Sequence, residues 1–240
     1  MPAKIHCVSL VVFREYLSAS ESESLTINDS NSLTHYSVNM PCETTPHGRR
    51  RLNPETRKAT IMKCAMERFS QSPYEQTSIA QIASDAEASV ALVHKYFGTK
   101  AELYTATLDS TFAELLRRQQ QADDPQQSAR ERVRIMLLVY IDLVAELPIE
   151  WAKIFVSPGA EPALATQTRM HYHQQEVTTI AELIGGIHWY RDEAALHGYL
   201  GFLQAATYAW LEAGRQKDHK HALIDATLGA LQGALGDWRQ

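Results

Sequence analysis

Between Pro54 and Tyr104 three short helical periodicities follow one another, each closed by a turn signal, and no other stretch limits the fold as much. Asn53 can cap the first helix, with Pro54 at its first position. Ile61, Ala65, Met66 and Phe69 recur at helical spacing and give it one apolar face. Pro73 ends it. Thr77 is expected to cap a second short helix whose Ile79, Ile82 and Ala83 point inward. Asp85 to Ala88 makes a turn, and a third helix is expected from about Ser89 to Tyr96. Gly98 breaks it, and Thr99 caps a longer helix bearing Leu103, Leu108, Phe112 and Leu115. Two short helices crossing steeply, the second free to enter a major groove, make a helix-turn-helix.

The residue types at the third helix suit that use. Ser89, Val90, Ala91 and Leu92 cluster at its start, where small side chains let the backbone approach bases. A serine hydroxyl can bond a base edge or a phosphate, and apolar groups can meet a thymine methyl. His94, Lys95 and Lys100 are expected to meet phosphates, and Thr77 and Ser78 offer a capped helix N-terminus for the same purpose. Tyr96 and Phe97 are expected to pack rather than touch DNA. Charge is distributed accordingly. The whole chain carries −5, but residues 47–104 carry +3, against −3 for 1–46 and −5 for 105–240. Phosphate neutralisation needs the positive segment. Arg49-Arg50-Arg51 could serve as an arm reaching phosphates or the minor groove, or simply as a solubilising linker.

On Phe69, Thr77, Ile79, Ile82-Ala83, Ala86, Ser89, Tyr96-Phe97, Lys100 and Leu103, in that order and spacing, the run resembles the helix-turn-helix of the tetracycline-repressor (TetR) family. The resemblance places the motif at Ser78 to Phe97 within a DNA-binding domain at 47–104. It implies that residues 89–92 read bases while His94, Lys95 and Lys100 hold the backbone. It also implies an all-helical effector-binding and dimerisation domain at 105–240, and a ligand-responsive repressor acting as a homodimer on an inverted-repeat operator in double-stranded DNA. Two positions depart from the family pattern: Glu87 stands where glycine is usual, and His94 where tyrosine is common. A left-handed Glu87 would cost roughly 1 kcal/mol.

The rest of the chain reads as helix without strand alternation, so the expected fold class is all-α, in two unequal bundles. Residues 1–46 are polar and aperiodic and are expected to be disordered. Two readings stand side by side there: a genuine flexible tail, or a translation start at Met40. Pro125, Pro148, Ser157-Pro158-Gly159 and Gly185-Gly186 punctuate the larger bundle. Its last two helices, about 192–213 and 218–235, carry apolar stripes through Leu196, Leu200, Leu203, Thr207 and Trp210, then Ile224, Leu228, Leu231 and Leu235. Frequent Gly and Ala beside the stripes suggest close helix approach. Residues 192–236 are therefore the expected homodimer interface, with internal core packing as the other use of the same stripes.

Trp151, Phe155, His171, Tyr172, Trp189, Tyr199, Phe202 and Tyr208 are candidate walls of a pocket for a small organic effector, although each would also suit a core. His171 with His173, and His219 with His221, diverge on a helix and make poor metal pairs, so no metal or cofactor is expected. Cys7, Cys42 and Cys64 fit a reducing cytoplasm better than a disulfide framework, and no apolar run reaches a membrane span. No hydrolase, metalloprotease, P-loop or dinucleotide motif is present, so an enzyme is not expected. The competing function is a helical protein-interaction adaptor that binds no DNA.

Overall fold

The computed structural model describes residues 53–236. The expectations for residues 1–46, for Arg49-Arg50-Arg51 and for Cys7 and Cys42 lie outside them. The described residues form nine α-helices and two short 3-10 turns, with no strand among them. The DNA-reading candidate comprises α1 (Pro54–Gln71), a 3-10 turn (Tyr74–Gln76), α2 (Ile79–Asp85) and α3 (Val90–Phe97). Then come α4 (Lys100–Ala122), α5 (Ala129–Glu146), α6 (Ile149–Val156), α7 (Ala163–Leu183), α8 (Tyr190–Glu212), a second 3-10 turn (Lys217–His219) and α9 (Lys220–Leu235).

Local chemistry explains the boundaries. Asn53 Oδ1 accepts from the Glu55 amide at 3.1 Å, with Pro54 at the first helical position. Ser78, not Thr77, caps α2: its side chain accepts from Gln81 N while Gln81 Oε1 accepts from Ser78 N, a reciprocal capping box. Thr77 sits one residue earlier, buried, with its hydroxyl donating to Pro73 O. Ser89 is likewise the cap of α3 rather than its first residue. Thr99 and Glu102 form a second capping box at the start of α4. Helix α8 begins two residues before the expected Asp192, because Asp192 Oδ2 reaches back to accept from the Trp189 and His188 amides.

One apolar core runs through the described chain. Ile61, Ala65, Met66 and Phe69 of α1 join Ile82 and Ala83 of α2, Val93 of α3 and Leu103 and Leu108 of α4. The same cluster continues through Leu115 into α5 to α9. Each fully buried aliphatic contributes roughly 1.5–3 kcal/mol. The division expected at 104/105 falls inside α4, which spans both ends without a break. A second bridge is α6, which packs on both α1 and α8. Its Trp151 is fully buried, donates Nε1 to Thr111 Oγ1 at 3.2 Å and meets the Tyr104 ring at 6.1 Å.

The stripes of α8 and α9 take the core-packing use. Leu196, Leu203, Thr207, Trp210, Ile224, Leu228 and Leu231 are buried within this one chain. The small residues lie on the other side: Gly198, Gly201, Ala205, Ala226, Gly229 and Gly233 are exposed. A β-carbon built on any of these four glycines would meet no atom within 4 Å. The close approach suggested by small residues is thus not made within the chain. Among the described residues no helix is long and apolar enough to cross a membrane.

Candidate nucleic-acid interface and effector cavity

Helices α2 and α3 are joined by a left-handed turn. Ala88 N donates to Ala83 O at 2.8 Å and Glu87 N to Ser84 O at 3.1 Å, the paired bonds of a Schellman cap. That geometry requires a positive φ at Glu87, which is 47°. Arg57 of α1 binds this turn: its Nη1 donates to the Ala86 and Glu87 carbonyls, each at 3.3 Å. Asp85 pairs with Arg68, fixing the end of α2 to α1. Neither latch is evident from the sequence, since Arg57 and Arg68 lie about thirty and seventeen residues from their partners.

Helix α3 presents Ser89, Val90, Ala91, His94 and Lys95 to solvent, with Leu92 half-buried and Val93 fully buried. Ser89 Oγ accepts from Leu92 N at 3.2 Å, and its hydroxyl proton remains available. His94 Nδ1 is 2.6 Å from Gly98 O, so Nδ1 carries the hydrogen and Nε2 faces outward. Lys95 has no hydrogen-bond or ion-pair partner among the described residues and is the free cation of this helix. Tyr96 and Phe97 are half-buried against the core, Phe97 beside Ala59 and Met62.

Lys100 is placed differently. Its ammonium donates to Tyr74 O at 2.8 Å and Thr77 O at 3.0 Å, and lies 4.2 Å from the centre of the Tyr74 ring. It therefore closes the 3-10 turn ahead of α2. Of the interface residues, Ser78, Ser89, Val90, Ala91, His94 and Lys95 are exposed, Leu92 is half-buried, and Thr77 and Lys100 are turned toward protein.

The larger bundle holds a cavity of about 470 Å³ between α4, α5, α6, α7 and α8. Its aromatic walls are Phe112, Tyr140, Phe155 and Tyr172. Phe112 stacks on Tyr172 at 4.4 Å and tilts against Phe155 at 4.7 Å. Among the eight expected pocket residues, Phe155 and Tyr172 line this space. Tyr199 is buried beside Glu176, a cavity residue, and Trp151 is core. Trp189 (70% exposed), Phe202, Tyr208 and His171 face solvent.

Sequence reasoning missed most of the polar lining. Arg169, His173 and Glu176 come from α7, and His197 and Gln204 from α8. Arg169 donates through Nε to both Glu161 carboxyl oxygens at 3.0 Å and through its two Nη atoms to the Ile154 and Phe155 carbonyls. His173 Nε2 and His197 Nδ1 share one hydrogen bond at 2.8 Å between stacked rings. Burial, and then the neighbouring His197, push the His173 pKa down. Burial lifts the Glu176 carboxyl from its ordinary 4.5 to about 7, partly offset by a hydrogen bond from Gln119. One signal was available: Arg169, Tyr172, His173 and Glu176 recur at helical spacing on α7. Among the described residues, no three His, Cys, Asp or Glu side chains are grouped as metal ligands would be.

Residues 61–107 match the family model described as bacterial regulatory proteins, tetR family. Comparison with curated proteins found no match. Solved structures share the fold. A TetR-like transcriptional regulator from Rhodococcus sp. RHA1 aligns at TM-score 0.64 and 21% identity over 78% of this chain and 100% of that one. A tetR-family regulator from Streptomyces coelicolor aligns at 0.59 and 20%, over 78% and 91%. NalD of Pseudomonas aeruginosa, described as the secondary repressor of the MexAB-OprM multidrug efflux pump, aligns at 0.60 and 16%, over 74% and 96%. The resemblance read from the helix-turn-helix thus holds, and the fold is that of TetR-type regulators.

Proposed function

We propose that this chain is a sequence-specific DNA-binding transcriptional regulator that works as a ligand-responsive homodimer on an inverted repeat. The observation that carries the reading is α3. It is a short capped helix whose exposed start bears small side chains and whose next turn bears a free cation, inside the segment that matches the family model. Ser89, Val90, Ala91 and Leu92 read base edges. Ser78, His94 and Lys95 meet the backbone. Thr77 and Lys100 support the turn that holds α2 in place. Repression is the proposed mode of action, as in NalD, which is described as a repressor.

The exposed small-residue face of α8 and α9 is the proposed dimer interface, because glycine and alanine there let a second copy come close. Two α3 helices then meet successive major grooves about 34 Å apart. The cavity takes the effector. Its wall residue Phe155 and the core residue Trp151 share α6. Trp151 meets Tyr104, and Tyr104 meets Phe69 of α1 at 4.9 Å and Tyr74 at 5.3 Å. Filling the cavity shifts α6 and, through these contacts, the population competent for DNA.

Footprinting on the DNA flanking the chain's own gene, repeated over a salt series, tests the reading. A protected inverted repeat whose affinity falls with salt is expected. Absence of protection on any genomic fragment at low salt would leave the adaptor function standing instead.

A further inference from the structure

The polar groups around the cavity are unevenly matched. The cationic and histidine groups of the lining are tied to protein partners. Arg169 is held by Glu161 and two backbone carbonyls. The two histidines share one hydrogen bond, and the accepting ring keeps an N–H on its other nitrogen. The Tyr172 hydroxyl donates to Asp109 at 2.8 Å, and Gln204 Nε2 to Val156 O. The acidic side of the site has no such ion-pair partner. No cation pairs with Glu176 among the described residues, and Gln119 beside it buries an Oε1 with no partner. The surrounding walls are aromatic, and ring faces attract cations. An ammonium would supply the ion-pair partner that Glu176 lacks, whereas a carboxylate would be set against that acid.

Resting on the effector reading above, we propose that the cavity recognises an organic cation: an ammonium or amidinium group carried on an aromatic or aliphatic body, with its charged end on Glu176 and its body between Phe112, Tyr140, Phe155 and Tyr172. Gln119 from α4, Tyr140 from α5 and Tyr199 from α8 act on Glu176 directly, and Arg169, Tyr172 and His173 from α7 and His197 from α8 share the cavity or its wall with it. Of these only Arg169 carries a fixed charge, and Glu161 neutralises it. A bound cation therefore displaces the proton that burial keeps on Glu176.

Calorimetric titration of the full-length protein with three probes of similar shape tests this: 4-phenylbutylamine, 4-phenylbutanol and 4-phenylbutyrate. The amine is expected to bind about tenfold or more tightly than the alcohol, and the butyrate weakest of the three. Binding of the amine should release protons, seen as a buffer-dependent heat near pH 7. Its affinity should fall between pH 8 and pH 6, while that of the alcohol stays level. Glu176→Gln should bring amine affinity down to that of the alcohol and abolish the proton release. The wild-type pH series serves even if the variant folds poorly. Binding of all three probes without preference for the amine, or preference for butyrate, overturns the proposed ligand class and leaves the effector cavity standing. No binding of any probe overturns both, while the footprint of the unliganded protein still tests the DNA reading separately.

Discussion

Between Ser78 and Lys100 the capping residues, His94 and Lys100 are bonded to the turns around them and Lys95 is left free, whereas around Glu176 polar groups converge from four helices and leave its charge without a cation. At the DNA-reading end Ser78, Ser89 and Thr99 close helix N-termini, His94 reaches the carbonyl four residues on, and Lys100 binds the turn before α2. Rigid local bonding leaves a small exposed face whose shape is set before any partner arrives. In the cavity, Arg169 of α7 is tied to Glu161 and backbone carbonyls, His173 and His197 share a bond, and the acidic Glu176 remains without a cation. A site that reads a regular surface gains from fixed geometry. A site that responds to a ligand gains from an unfilled requirement, because only then does the ligand change the energy of the fold.

The sharpest way to break this comparison is to set the half-buried Glu176 against Glu114, a buried carboxylate in the same bundle. Glu114 is almost fully buried but receives Arg117 at 2.6 Å and Arg118 at 2.8 Å. Burial alone would raise its pKa, but the two guanidinium groups outweigh that and hold it below 4.5. Glu114→Gln should destabilise the protein by roughly 3 kcal/mol at neutral pH, measured by denaturant unfolding. This carboxylate contributes stability above its unfolded value, and that stability is lost as pH falls through its lower folded value. The penalty of the substitution should therefore fade on acidification. The same change at Glu176 has the opposite sign. Its folded pKa is raised, so its cost appears as pH rises from 4.5 through about 7. Glu176→Gln should stabilise the fold by about 1–3 kcal/mol at pH 8 and leave it unchanged near pH 4.5. Equal signs for the two variants would mean that Glu176 has a cationic partner after all.

The two lysines of the DNA end give the next largest effect. Lys100→Ala removes charge-assisted bonds to the Tyr74 and Thr77 carbonyls and should cost about 1–3 kcal/mol of stability. Lys95→Ala should leave the melting temperature in place, weaken binding to all DNA sequences alike and lower the salt slope by about 1. A Lys100→Ala protein with unchanged melting and a reduced salt slope would put its ammonium on phosphate instead.

The smallest effect is expected at Glu87. Glu87→Gly relieves a left-handed residue and should add roughly 1 kcal/mol, a rise of about 2–4 °C in melting temperature. No rise would mean that the Arg57 bonds to Ala86 and Glu87 had already absorbed the strain.

How much was legible follows from the range of the forces. Helix ends at Pro54, Thr99 and Pro148, and the inward face of α1, rest on neighbours within one or two turns, so spacing in the sequence reveals them. The capping box Ser78-x-x-Gln81 was equally visible, although Thr77 was assigned the cap. The sequence places Lys100 at phosphate because a lysine after a short helix has no local partner, whereas its ammonium bonds carbonyls twenty-three and twenty-six residues back. Trp189 and Tyr208 looked like pocket walls because aromatic character says nothing of direction, and both point outward. Phe112, Tyr140, Arg169 and Glu176 share a cavity only because α4, α5 and α7 pack side by side.

The sequence by itself determined the all-helical chain, its breaks and a helix-turn-helix with a small, cation-flanked reading surface, since caps, turns and apolar periodicity act over a few residues. Only the tertiary structure decided which polar groups meet. It buried the stripes of α8 and α9 and left their glycines bare. It turned Lys100 inward and left Lys95 free. It set Glu176 in a cavity wall without a cation, because desolvation and ion pairing depend on which helices come together, and that is settled by packing across the whole core.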